Sequence, residues 1–309
     1  MRRAVSRGQI VGLALNDVVG SGVYLLPAAA AALLGPLSLA AVLLAGLAVL
    51  LLVLCFAEAG SYFDEPGSGY LYARTAFGDL VGFEVGWMTW LARVASAASL
   101  AVGFAQALGF LWPEVGAGWP RGLAIALPLL ALTAVNVVGV AAGARTAVGL
   151  VIAKLTPLAV LIAAGVAVAS WERVMAQPAP QGEGELTGNL GQAALLLLFA
   201  YAGFENTAAP AGEYQNPRRD VPFALLVEIG TVTLLYLAVQ WVVLGTLPDA
   251  AGSETPLADA AHLLLGTWAG WLLTVGAALS ILGTNANTVL AGPRYLFALA
   301  RDGYGPRWL

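Results

Sequence analysis

The stretch Phe199-Ala200-Tyr201-Ala202-Gly203-Phe204-Glu205, followed by Pro210, breaks an apolar run of about membrane length. A glycine, a carboxylate and a proline have no place in the middle of an uninterrupted hydrophobic helix. Backbone that leaves the helical register in lipid is tolerated only where protein or a cavity satisfies its N–H and C=O groups. The stretch therefore predicts an unwound segment inside a membrane span, with Glu205 at the break. A carboxylate at that depth is a functional candidate by default. The plainer reading of Glu205 is a hydrogen bond that caps the unwound backbone.

The first apolar run carries a partner to this break. Gly20-Ser21-Gly22 interrupts it, and Pro27 lies seven residues after Gly20, just as Pro210 lies seven after Gly203. Alone, the glycines also fit a close helix–helix contact, because small residues are common at such interfaces. Paired interruptions in corresponding spans of two halves point instead to a transporter binding site. The chemistry suits a zwitterion. The half-helix after Gly20 offers unpaired N–H groups and a positive dipole end to a carboxylate. Carbonyls at the unwound ends, and a nearby acid, attract an ammonium.

The rest of the chain agrees with a membrane setting. Of 309 residues, 60% are hydrophobic and 10% charged, against about 25% charged in soluble domains. Mean hydropathy is +0.82. Stretches 37–57, 123–144 and 263–293 carry no charge. Apolar runs predict eight spans, at about 10–34, 37–62, 80–112, 121–140, 147–170, 190–213, 222–247 and 264–299. With the N-terminus cytoplasmic, the inner segments hold Arg2, Arg3, Arg7, Arg74, Arg145, Arg218, Arg219, Arg294, Arg301 and Arg307. The outer loops hold Arg121 and Arg173. The positive-inside rule sets that orientation.

Several classes of function find no support. The net charge of −4 carries no nucleic-acid signature. One cysteine, Cys55, and one histidine, His262, make neither a disulfide nor a conventional zinc site. No Walker loop and no cleavable signal peptide are expected, nor is a cofactor. An intramembrane enzyme would need a nucleophile–base pair or metal ligands at mid-membrane, and none is legible.

The stretch 199–225, FAYAGFENTAAPAGEYQNPRRDVPFAL, resembles the sixth-helix signature of the amino acid–polyamine–organocation (APC) superfamily. Gly203, Glu205, Glu213, Asn216-Pro217, Arg218 and Pro222 carry the likeness. The stretch 12–28, GLALNDVVGSGVYLLPA, resembles the first helix, and Pro66-Gly67-Ser68-Gly69-Tyr70 and Ala300-Arg301-Asp302-Gly303 are also family-like. The resemblance implies an all-α integral membrane protein of LeuT-like inverted-repeat fold, with about twelve helices in the family and eight here. Helices one to five (about 10–170) would form the first repeat, and six to eight (about 190–299) part of the second. The expectation is that the remaining helices lie outside this sequence.

The implied function is secondary active transport of amino acids across the cell membrane, by proton-coupled symport or exchange. Alternatives are sodium coupling, a polyamine or cationic amino acid antiporter, and a non-transporting sensor. The implied substrate-binding residues are Val19, Gly20, Ser21, Gly22 and Val23 on helix one, Met88 and Ala97 on helix three, Phe199, Tyr201, Ala202, Gly203 and Glu205 on helix six, and Ser280 on helix eight. Lys154, the single lysine, resembles the helix-five lysine of proton-coupled members and, with Glu205, is the proton-coupling candidate. Its plainer reading is snorkelling toward the inner surface. Asp17 and Arg93 are read either as a charge pair or as separate groups, with Arg93 shaping selectivity. Glu58, Glu84 and Glu228 are read as interfacial.

Overall fold

The computed structural model describes residues 3–178 and 183–305; Arg2 and Arg307, used in the charge reading, lie outside them. Among the described residues the chain is all helical, with twelve α-helices and one isolated bridge between Val5 and Tyr214. The helices are α1 (Arg7–Val18), α2 (Gly22–Leu34), α3 (Ser38–Tyr62), α4 (Gly69–Phe77), α5 (Asp79–Leu111) and α6 (Gly118–Val138). There follow α7 (Val140–Gly165), α8 (Trp171–Ala176), α9 (Glu183–Ala200), α10 (Pro217–Thr246), α11 (Pro256–Leu265) and α12 (Thr267–Arg301).

Among the described residues seven continuous helical stretches are long and apolar enough to cross a membrane, and the chain is a multi-pass membrane protein. The first of the seven, Gly22–Tyr62, takes in α2 and α3 across the turn at Pro36. Counted apart, these two give the eight spans read from the sequence. Span one is the pair α1–α2, and span six is α9 with the irregular segment after it. The sequence did not predict α4, α8 or α11. They are short, and their apolar runs do not reach membrane length.

Outward faces are apolar because lipid replaces water as their solvent. Leu44, Leu51 and Leu52 of α3 and Leu127 and Leu130 of α6 are all more than half exposed or nearly so. Inward, α12 packs on α5 and α7, and α10 packs on α3. Glycines allow the closest approaches. A Cβ at Gly46 of α3 would lie 2.6 Å from Thr233 Oγ1 of α10.

Both breaks are pinned at the end where the basic residues gather. The N–H groups of Ala4 and Val5 donate to the Glu213 carbonyl at 2.9 and 3.1 Å, and Gln215 N–H donates to the Val5 carbonyl at 3.0 Å. Arg7 pairs with Asp220 at 2.6 Å and Arg294 with Glu213 at 3.1 Å. Arg74 after α3 reaches Asp302 after α12 at 2.6 Å, and the Tyr70 hydroxyl donates to the same carboxylate at 2.7 Å. Partial burial would raise the Asp302 carboxyl. Hydrogen bonds from Arg301 and Tyr70, with the charge of Arg74, hold it below the usual carboxylate range instead.

Candidate functional site

Helix α1 stops at Val18 because Val19 leaves helical geometry, at φ −73° and ψ 82°. Its last carbonyls then lack intrahelical donors. Three other helices supply them. The Lys154 ammonium of α7 donates to the Asn16 carbonyl at 2.7 Å and also to the Val19 carbonyl. From α12, Ser280 Oγ donates to the carbonyls of Val19 and Gly20 at 3.1 and 3.0 Å, and Thr284 Oγ1 lies 3.4 Å from the Asn16 carbonyl. From α10, the Tyr236 hydroxyl reaches the carbonyl of Val18 at 3.2 Å and that of Ala200 at 2.9 Å. One phenol thus touches both breaks. Lys154 is fully buried, so it does not snorkel.

The second break begins after α9. Gly203 has φ +132°, a conformation that glycine adopts without strain and other residues do not. Its own N–H donates to Glu205 Oε2 at 2.8 Å. Asn206 holds the turn, its side-chain amide donating to Glu205 Oε1 at 3.1 Å, to the Gly203 carbonyl at 3.1 Å and to Asp17 Oδ2 at 2.9 Å. The Ser68 hydroxyl donates to the Glu205 carbonyl at 2.6 Å. Glu205 therefore does cap unwound backbone. It also faces Arg93 at 3.5 Å.

Between the breaks lies a cavity of about 380 Å³, within the range of small-molecule sites. Its wall includes Asp17, Gly20, Ser21 and Gly22 from the first break, and Phe199, Ala202 and Gly203 from the second. Arg93, Ser96 and Ser99 of α5 and Thr284 and Thr288 of α12 complete it. The wall thus carries the opening N–H groups of α2, which have no intrahelical acceptor, together with the Arg93 guanidinium and the Asp17 carboxylate.

The structure brings together only some of the residues named from the sequence. Gly20, Ser21, Gly22, Phe199, Ala202 and Gly203 line the cavity. Val19 and Val23 are buried in the core, Val19 serving through its carbonyl. Ser280 braces the break rather than lining the cavity. The Tyr201 hydroxyl points to the Val42 carbonyl of α3 at 3.2 Å. Met88 is 65% exposed on α5, and the Ala97 carbonyl lies 3.4 Å from the side-chain amide of Asn285.

One reading of charge was open and one changes. Arg93 pairs with Glu205, and Asp17 takes its hydrogen bond from Asn206. Glu228 is 1% exposed, because the N-terminal turns of α10 lie under the second break rather than at the interface. Sequence reasoning missed Ser96, Ser99, Thr288 and Tyr236. For the hydroxyl residues a signal was available, since 284 and 288 are one turn apart and 93 and 96 share a helix face.

A polytopic helical protein with two interrupted helices side by side and a cavity between them is of the transporter class. Residues 6–309 match the amino acid permease family, and the chain belongs to it. The chain is similar to an uncharacterized transporter of Mycobacterium tuberculosis, 32% identical over 326 residues, covering all of this chain and 68% of the relative. It is similar to the serine/threonine exchanger SteT of Bacillus subtilis, 30% identical over 297 residues, covering 93% of this chain and 66% of the relative. It is also similar to the mitochondrial cationic amino acid transporter 3 of Arabidopsis thaliana, 28% identical over 329 residues. That match covers all of this chain but 53% of the relative, so the chain spans between about half and two thirds of these proteins' lengths.

Proposed function

We propose that the protein carries an amino acid across the membrane by alternating access, with protons as the coupling ion. The carrying observation is the cavity lined by both breaks. The substrate carboxylate would sit on the N–H groups of Ser21 and Gly22, and its ammonium on the Asp17 side and on carbonyls of the second break. A LeuT-like arrangement fits this reading, with residues about 10–170 as the first repeat and about 190–299 as part of the second. Lys154 places a fixed cation on the carbonyls of the first break, which favours protons over sodium. Counterflow of radiolabelled amino acids in proteoliposomes tests transport, and a protein that binds without flux would be a sensor.

A second reading has one specific support. Asp17 lines the cavity, and the plant relative is named for cationic amino acids, so a cationic side chain would find a partner there. Competition of the counterflow by lysine and arginine against serine and leucine separates the two substrates.

Gly22 is the sharper probe of the carboxylate position. A Cβ there would come 3.0 Å from Leu26 Cδ1, the movable end of a side chain. Gly22→Val should therefore insert and fold, yet crowd the N–H groups a ligand must approach. Binding is expected to fall at least about tenfold, roughly 1.4 kcal/mol. Normal amino acid binding by Gly22→Val would place the carboxylate elsewhere.

We further propose that the N-terminus is cytoplasmic and that the membrane is the cell membrane, on the distribution of arginines. In a Cys55→Ser background, a cysteine at Glu172 should react with an impermeant maleimide in intact cells, and one at Arg219 should not. Strong labelling at 219 with none at 172 would invert the topology.

A further inference from the structure

Three carboxyl groups and two cations lie on and between the two breaks: Asp17, Glu205 and Glu228 against Arg93 and Lys154, the lysine on the side of the first break. With all five ionised, the cluster would hold one uncompensated negative charge inside the apolar span. An unpaired buried charge is among the costliest arrangements a protein can hold, and the usual relief is to take up a proton. Hydrogen bonding says which carboxyl takes it. Glu205 accepts from the Gly203 N–H at 2.8 Å and the Asn206 amide at 3.1 Å, and faces Arg93 at 3.5 Å. Asp17 accepts from Asn206 at 2.9 Å. Glu228 has only the Thr207 hydroxyl, at 3.4 Å from Oε2, while its buried Oε1 has no hydrogen-bond partner.

We infer that Glu228 of α10 is a second protonation site, which holds the coupling proton while the second break is packed against it. The inference rests on the proton-coupled reading above. No cation from a neighbouring helix faces Glu228 among the described residues. Its titratable neighbours are Asp17 of α1, Glu205 and Tyr214 of the irregular segment, and Tyr236 of its own helix. Lys154 of α7 is engaged on the carbonyls of α1. Cys55 and Glu58 of α3, Glu172 and Arg173 of α8, and Asp259 and His262 of α11 are exposed.

A route joins Glu228 to the ligand cavity. Thr207, its one hydrogen-bond partner, lines a small cavity of about 20 Å³ with Asp17, Asn206 and Tyr214, enough room for about one water molecule. Asp17 lines the ligand cavity as well. A proton leaving Glu228 passes to Thr207 Oγ1 as the threonine's own hydroxyl proton moves on through a water to the Asp17 carboxylate. Glu228 ends as a carboxylate and Asp17 as a neutral acid facing the ligand cavity. Opening of the break would hydrate Glu228 and favour that transfer, and repacking would favour the return.

Glu228→Gln in the full-length protein tests this, because the amide copies the neutral acid in shape and polarity but cannot lose a proton. Uptake of the transported amino acid driven by an imposed pH gradient should be lost, with counterflow exchange reduced far less. Infrared spectra should show a protonated carboxylic acid band in the wild type at neutral pH that Glu228→Gln lacks. A band that survives the substitution, or proton-driven uptake that does, overturns the assignment of Glu228 alone. A wild-type protein that exchanges amino acids but ignores the pH gradient overturns the proton-coupled reading and the role of Glu228 with it.

Discussion

Lys154→Ala in the full-length protein is expected to abolish amino acid uptake driven by a pH gradient and to leave exchange partly intact. The ammonium is fully buried and donates to the carbonyls of Asn16 and Val19, which ties α7 to the point where α1 stops. A protonated lysine offers three donors and a charge, and hydrogen bonds to a charged group contribute about 1.5–3 kcal/mol each. Loss of the proton removes the charge and a donor, so the tie weakens and α1 is freer to move. Protonation would thereby bias a two-state equilibrium, as alternating access requires. The substitution need not unfold the site, because Ser280 and Thr284 share the same carbonyls. Proteoliposomes with an imposed proton gradient, with and without sodium, provide the measurement. Uptake that follows sodium and ignores pH would mark a sodium-coupled carrier. Undiminished proton-driven uptake in Lys154→Ala would remove Lys154 from the mechanism and leave Glu228 as the candidate to test.

What the sequence made legible follows from the physics of lipid. A bilayer demands long apolar runs and forbids unsatisfied backbone, so the spans and both interruptions stand out in one dimension. Gly20 and Gly203 were readable as breaks because each has a proline seven residues on, in corresponding spans of the two halves, which a lone packing glycine would not require. Lys154 was readable because a lone lysine in an apolar helix must find acceptors. The partners of the other charges were not readable. Whether Arg93 meets Asp17 or Glu205 depends on how α5 is rotated against the break, which spacing along α5 does not set. The same rotation exposes Met88 and turns Ser96 and Ser99 to the cavity. Glu228 looked interfacial because it lies near the start of α10. The irregular segment from Tyr201 to Asn216 folds over that start and buries it. Tyr236 was invisible for a related reason: its role exists only once both breaks lie side by side.

That side-by-side contact gives the second large expected effect, for Gly203→Ala. At Gly203 the backbone has φ +132°, and an added Cβ would lie 3.1 Å from the Asp17 carbonyl carbon and 3.2 Å from its oxygen. It would also meet Val18 Cγ2 at 3.2 Å. The crowded atoms at Asp17 are backbone, not the free end of a side chain, so relief requires the two breaks to move apart. Holding a non-glycine residue in such a conformation costs about 1–3 kcal/mol. Moving apart stretches the Asn206–Asp17 bond and the double contact of Tyr236. Ligand affinity should fall at least about tenfold, roughly 1.4 kcal/mol, and the melting temperature should fall with it. Gly230→Ala is the matched control. That glycine lies within α10 with nothing within 4 Å of an added Cβ, and a helical glycine replaced by alanine gains about 0.5–1 kcal/mol. Thermal unfolding and binding of labelled amino acid, measured for both variants beside wild type, decide the matter. If Gly203→Ala binds and melts like Gly230→Ala, the two breaks do not depend on close backbone contact, and the cavity between them is held open by other groups.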